Sequence, residues 1–243
     1  MTTTDDILRE MGLGPVWKLR MAKTLPAEAQ SVPLGPGEIQ QEPPPVSPAN
    51  DAAATPESMD WDALAGAVAA CRQCRLCAAR KQTVLGIGDV RADWMFVGEG
   101  PGAEEDQRGE PFVGQAGKLL DSMLAAIGLK RGDDVYIANA VKCRPPENRT
   151  PTPEETAACL PYLERQIALV QPRLIVALGR PAAQTLLQTE VRIGAARGTL
   201  HDYRGIPLIV TYHPAYLLRT LPDKAKAWED LCFARATMRK LLE

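Results

Sequence analysis

The stretch Asp93-Trp94-Met95-Phe96-Val97-Gly98-Glu99-Gly100-Pro101-Gly102-Ala103-Glu104-Glu105-Asp106 decides the fold. It opens with an apolar run that shows no alternation and is stopped by glycine, the mark of a strand buried on both faces. A turn punctuated by glycine and proline follows, and then three acids, a composition that favours the start of a helix. The same grammar recurs downstream. Val135-Tyr136-Ile137-Ala138-Asn139, Leu174-Ile175-Val176-Ala177-Leu178-Gly179 and Pro207-Leu208-Ile209-Val210-Thr211-Tyr212 read as three more strands. Apolar residues at helical spacing over 61–79, 117–128, 153–170, 181–188 and 224–242 predict helices before, between and after them. Apolar strands separated by helices predict an α/β fold in which a central four-stranded parallel sheet is flanked by helices. In that architecture sites gather beyond the carboxyl ends of the strands.

Six cysteines are the second informative feature. Cys71 and Cys74 form a C-x2-C pair able to grip one site from a single turn, while Cys143 and Cys159 lie far downstream and close a ligand shell only if the fold gathers them. Free cysteines are most often small buried hydrophobes. Here Arg72, Gln73, Arg75 and Arg144 crowd the candidates, and cations favour the thiolate. Zinc more often shows a second close pair, so the spacing favours an iron–sulfur cluster without excluding zinc. Cys77 lies three residues past the pair and is an alternative to either of its members; Cys232 is a spare.

The chain carries a net charge of −2, which argues at first against a nucleic-acid partner. Its distribution reverses that. Residues 1–60 hold 4 of the 28 Lys and Arg and 9 of the 30 Asp and Glu, which leaves the remainder at 24 against 21, a balance of +3. The basic residues of the body cluster at Arg72/Arg75/Arg80/Lys81 and Lys142/Arg144/Arg149. Three parts are expected: a short helix or partner-binding motif over 1–24, with apolar Leu8, Met11, Leu13 and Trp17; a disordered proline-rich linker over 25–58; and one domain over 59–243. No apolar run reaches membrane-spanning length, and the first residues lack a basic start and an apolar signal core, so a cytoplasmic protein is expected. Reduced thiols in that compartment agree with metal ligation rather than disulfides.

The ends of three of the strands carry polar motifs. The first is followed by Gly98-Glu99-Gly100-Pro101-Gly102-Ala103-Glu104-Glu105-Asp106 and then Pro111-Phe112-Val113-Gly114. The second ends at Asn139 and runs into Val141-Lys142-Cys143-Arg144-Pro145-Pro146-Glu147-Asn148-Arg149. The fourth leads into Tyr212-His213-Pro214-Ala215-Tyr216-Leu217-Leu218-Arg219. With the four cysteines, these motifs resemble the iron–sulfur, family 4 branch of bacterial uracil-DNA glycosylases, over about residue 61 to the end. The resemblance implies a three-layer sandwich around the parallel sheet, a [4Fe–4S] cluster on Cys71, Cys74, Cys143 and Cys159, and release of uracil from double- and single-stranded DNA by a monomer.

It also implies roles. Uracil must leave the base stack, so the pocket needs an edge reader and a flat wall. By similarity Asn139 reads O4 and N3–H, Phe112 is the wall, Glu99, Gly100 and Pro101 form the turn bordering the base, and His213 faces O2 and stabilises the departing anion. Arg144, Arg149 and Arg219 would hold phosphates, and Leu217 would fill the gap left by the flipped base. Better-known branches carry a water-orienting acid where Gly100 stands; Glu105 is the substitute expected here. A related branch that traps DNA covalently has a histidine-containing insertion, and Cys143-Arg144-Pro145-Pro146-Glu147-Asn148-Arg149-Thr150 has none, so no stable covalent product is expected. Two alternatives stand beside this reading: a cluster-bearing DNA-binding or redox module without glycosylase activity, and a glycosylase for another deaminated base.

Overall fold

Every residue of the strands over 94–98, 135–139 and 174–178 is buried in the computed structural model, which describes residues 55–243. The helix or motif expected over 1–24 and nearly all of the linker over 25–58 lie outside the described residues. In chain order the elements are helix α1 (Trp61–Ala70), strands β1 (Ile87–Gly88) and β2 (Trp94–Gly98), helices α2 (Ala103–Arg108) and α3 (Gln115–Ala126), strand β3 (Val135–Asn139), helix α4 (Pro153–Val170), strand β4 (Leu174–Leu178), helices α5 (Arg180–Leu187) and α6 (Ile193–Ala196), strands β5 (Leu200–Tyr203) and β6 (Ile206–Thr211), and helices α7 (Pro214–Leu217) and α8 (Lys224–Leu242).

The sheet has six strands, in the order β1-β3-β2-β4-β6-β5. Its central four, β3-β2-β4-β6, are mutually parallel, as the apolar runs predict. The expected count of four is corrected by two antiparallel edge strands, β1 on β3 and β5 on β6. Neither has the apolar run that marks a core strand. β1 has two residues, and β5 reads Leu200-His201-Asp202-Tyr203 with only Tyr203 buried. The helix expected over 61–79 also ends early, at Ala70, where Cys71 caps it and the chain turns toward Cys74.

Side chains of period two divide the sheet's apolar residues between two layers. Trp94, Phe96, Ile137 and Val176 face one way and pack on Leu120 and Leu124 of α3 and on Leu231, Ala234 and Met238 of α8. Met95, Val97, Ala138 and Ala177 face the other way and pack on Leu163 and Ile167 of α4 and on Ala182 and Leu186 of α5. Helix α4 is sharply started. Thr152 accepts from the Glu155 N–H, Glu155 reaches back to the Thr152 N–H, and Pro153 sits at the first turn, where its missing donor costs nothing. A third apolar layer, with Leu64, Val68, Leu76, Val141 and Tyr162, joins α1 to α4 and contains Cys71, Cys74, Cys143 and Cys159.

Candidate active site

The parallel register aligns the strand ends: Gly98 of β2 lies beside Asn139 of β3, and Leu178 of β4 beside Thr211 of β6. The loops that leave these four positions surround a cavity of about 770 Å³. All six residues expected around the base line it: Glu99, Gly100, Pro101, Phe112, Asn139 and His213. Glu105, Arg149 and Arg219 line it as well, whereas Arg144 and Leu217 do not.

Asn139 is the last residue of β3 and is buried, yet its Oδ1 has no hydrogen-bond partner. A buried amide oxygen without a donor is costly, and such sites are commonly completed by a ligand. Gly98 explains how the amide comes so close to the wall of the site. A Cβ at residue 98 would fall 2.5 Å from Asn139 Oδ1 and 2.5 Å from Phe112 Cζ, so only glycine lets the asparagine and the phenyl ring meet over β2. Phe112 itself adopts φ +56°, a left-handed conformation that a phenylalanine holds only under constraint. Arg131 provides the constraint by donating from Nη1 to the Pro111 carbonyl and from Nη2 to the Phe112 carbonyl, each at 2.8 Å, while its Nε pairs with Asp121 at 2.9 Å.

His213 follows β6 and caps α7; its Nδ1 accepts from the Ala215 N–H at 3.1 Å. An accepting Nδ1 places the proton of the neutral ring on Nε2. Burial lowers the pKa to about 4, and the Arg219 guanidinium pushes it the same way, against a smaller opposing pull from Glu105. The imidazole is therefore neutral near pH 7. It lies 5.5 Å from the Phe112 ring, centroid to centroid, at a tilt of 30°.

The two acids differ. Glu105 accepts from the N–H groups of Val113 (2.9 Å) and Gly114 (3.1 Å) through Oε1 and from that of Gly102 (3.1 Å) through Oε2. It clamps the turn after β2 to the Phe112 loop. Glu99 is half-buried on the cavity wall; burial raises its pKa, and the Thr150 hydroxyl and the Arg180 guanidinium partly offset this.

Arg149 gives the forked face of its guanidinium to Glu155, at 2.8 and 2.7 Å. Arg144 donates to Asn148 Oδ1 at 2.7 Å, and Arg219 is exposed at the rim. Arg180, which nothing in the sequence singled out, stands exposed at the rim where β4 ends. Sequence reasoning also gave no role to Tyr212 and Tyr216, which stack at 5.2 Å along the cavity; only their place in the His213 motif could have signalled them. Leu217 is 1% exposed and packs in the core, so the loop presents its neighbour Leu218 to solvent instead, at 42%.

On the α1 side Cys71, Cys74, Cys143 and Cys159 lie in one apolar layer, where burial raises the pKa of Cys74 and Cys143 and pushes that of Cys159 up to about 11. Arg80 Nη1 donates to Cys143 Sγ at 3.0 Å, and the Lys142 N–H donates to Cys159 Sγ at 3.2 Å. Donors aimed at sulfur are what bound thiolates need. Among the described residues no His, Cys, Asp or Glu group is tight enough for a single metal ion. A cubane instead takes one thiolate at each of four irons, and a set of four thiols drawn from three segments suits it. Cys77 is half-buried next to Cys74, and Cys232 belongs to α8. Among the described residues no helix is long and apolar enough to cross a membrane.

Comparison with known proteins places the chain in a family. The family model described as the Uracil DNA glycosylase superfamily matches residues 85–232. The chain is 44% identical to the type-4 uracil-DNA glycosylase of Pyrobaculum aerophilum over 181 residues, which is 71% of this chain and 92% of that protein. It is 46% identical to the type-4 enzyme of Archaeoglobus fulgidus, covering 65% of this chain and 82% of the relative, and 45% identical to that of Thermotoga maritima, covering 70% and 90%. By the match of its sequence to the family model and to these relatives, the chain belongs to the uracil-DNA glycosylase superfamily, beside its type-4 members.

Proposed function

We propose that the protein flips uracil out of DNA and hydrolyses its N-glycosidic bond, releasing free uracil and leaving an abasic site. The observation that carries this is the buried, unpartnered Asn139 Oδ1 in a cavity that also holds the Phe112 ring and a neutral His213. Uracil offers an N3–H to that oxygen, whereas cytosine offers a bare N3, which would set acceptor against acceptor. Phe112 provides the stacking face. The proton on His213 Nε2 is available to uracil O2, where charge grows as the bond to the sugar lengthens, and a neutral donor serves there without first being protonated. A module that only bound DNA or moved electrons would have no use for this convergence.

For the attacking water we favour Glu99. Glu105 already receives three backbone N–H groups, and its main work is to hold the pocket loops together. Arg144, Arg180 and Arg219 are assigned to phosphates, with Arg149 serving chiefly as a partner of Glu155. Leu218, exposed in the loop assigned to the wedge, takes the role expected of Leu217. Cys71, Cys74, Cys143 and Cys159 fit a [4Fe–4S] cluster better than a single zinc ion, for which no group among the described residues is tight enough. Such a cluster would tie the α1 segment to α4 and to the loop after β3.

The test is incubation of the purified protein with duplexes and single strands containing uracil, hypoxanthine or mismatched thymine, followed by cleavage at abasic sites. Strand breaks at uracil are expected. Release of hypoxanthine alone would support the other-base reading, and no release of any base would refute the glycosylase function.

A further inference from the structure

Lys142 is a fully buried cation that the proposed chemistry does not use. It is 1% exposed, and an apolar residue would fill its space without desolvating a charge. A lysine is justified there only by what its ammonium holds. Nζ donates to the main-chain carbonyl of Asn139 at 2.7 Å and to Gln166 Oε1. Gln166, itself wholly buried on α4, passes the tie onward by donating from Nε2 to the Leu85 carbonyl at 2.8 Å and to the Tyr136 hydroxyl at 3.0 Å. The backbone of Lys142 is fixed as well. Its carbonyl accepts from the Val84 N–H at 2.8 Å, and its N–H bonds Cys159.

We propose that Lys142 is a positioning residue: its buried ammonium braces the end of β3 through the Asn139 carbonyl and so keeps the Asn139 amide turned into the cavity. The inference rests on Asn139 reading the base. The physical need is plain, because Asn139 Oδ1 lacks a donor while a strong one sits three residues further on. An unsatisfied buried oxygen turns toward such a donor unless the backbone is held and the donor is otherwise engaged. The Lys142–Gln166 pair does both. Main-chain strain or a local helix would not serve, since β3 ends at Asn139 and its side of the loop has no other cation bonded to that carbonyl among the described residues.

The test is a double-mutant cycle on single-turnover uracil excision by the full-length protein, with iron and sulfide content, thermal midpoint and abasic-DNA affinity measured for every variant. Lys142→Met is expected to slow excision about 10- to 100-fold, the scale of a slightly misplaced contact group. Cofactor content and abasic-DNA affinity should stay at wild-type levels. In the Asn139→Ala background Lys142→Met should cost almost nothing more, because its effect has no reader left to act on. In the His213→Ala background the two losses should multiply. Should Lys142→Met fail to fold, Gln166→Leu takes its place: the freed ammonium can swing to Asn139 Oδ1, and the same pattern is expected. Wild-type rates in the variant, losses that multiply with Asn139→Ala, non-additivity with both partners, or activity lost in step with iron would each overturn the proposal. A wild-type protein that releases no uracil refutes the glycosylase reading itself, whereas an active wild type with a multiplicative Asn139 cycle refutes only the brace.

Discussion

Replacing His213 by alanine removes two separable things, and the structure sizes both. The first is the Nε2–H of a ring that lines the cavity; loss of one oxyanion donor costs roughly 10² to 10³ in the chemical step, or about 3–4 kcal/mol of transition-state stabilisation. The second is the cap on α7, since Nδ1 accepts from Ala215 N, and loss of a cap costs about 1 kcal/mol of stability. Single-turnover excision should therefore fall by two to three orders of magnitude, while the melting midpoint moves by a few degrees and abasic-DNA affinity stays nearly constant. His201 is the internal control. Its Nε2 bonds the Ala196 carbonyl at 2.8 Å and Thr199 Oγ1 at 3.1 Å, and it belongs to edge strand β5, none of whose residues lines the cavity, so His201→Ala should lose little activity.

The pH dependence sharpens the test. The folded pKa of His213, about 4, lies below its ordinary value of 6.5, so between those values the unfolded chain binds a proton that the folded protein does not. This histidine thus subtracts stability as pH falls from 6.5 toward 4 and contributes nothing above that window. Excision should stay on a plateau as the pH passes downward through 6.5, and His213→Ala should abolish part of the acid-side loss of stability. An acid limb of activity centred near 6.5 that vanishes in His213→Ala, or equal losses in the His201 and His213 variants, would refute the neutral-donor role.

Further outcomes follow from particular contacts. Gly98→Ala places a Cβ 2.5 Å from both Asn139 Oδ1 and Phe112 Cζ, so excision should drop at least about 100-fold while the overpacking costs about 1–3 kcal/mol; a Gly98→Ala protein that stays active in steady-state assays would show that the two side chains need not meet. Leu217→Ala should destabilise by about 2–5 kcal/mol in denaturant titration, as a core truncation does, whereas Leu218→Ala should leave stability within about 0.5 kcal/mol and weaken excision from duplex more than from single strands. Anaerobically purified protein should contain iron and sulfide, and Cys77→Ser should retain them while Cys143→Ser loses them; stoichiometric zinc without iron would replace the cluster assignment.

What could be read in the chain before folding was whatever short-range chemistry controls. The strands over 94–98, 135–139 and 174–178 are uninterrupted apolar runs, and apolar residues at helical spacing mark α4, so their places were legible to within a residue or two. The pocket motifs were legible too, since backbone turns and strand ends force Gly98, Asn139 and His213 to their positions. The edge strands β1 and β5 were not, because their residues pair only when β3 and β6 offer an edge, and nothing local calls for a strand. The same holds for the assignments within the site. Adjacent leucines look alike in sequence, but the turn of α7 buries Leu217 and exposes Leu218. Two glutamates near one glycine turn look alike and both line the cavity, but Glu105 is engaged by the N–H groups of the Phe112 loop and Glu99 is not. Lys142 reads as one more basic residue of a solvated cluster until α4 closes over it and Gln166 meets its ammonium. Local pattern determines what a segment becomes; which of its side chains face ligand, solvent or core is decided by what the distant chain brings against it.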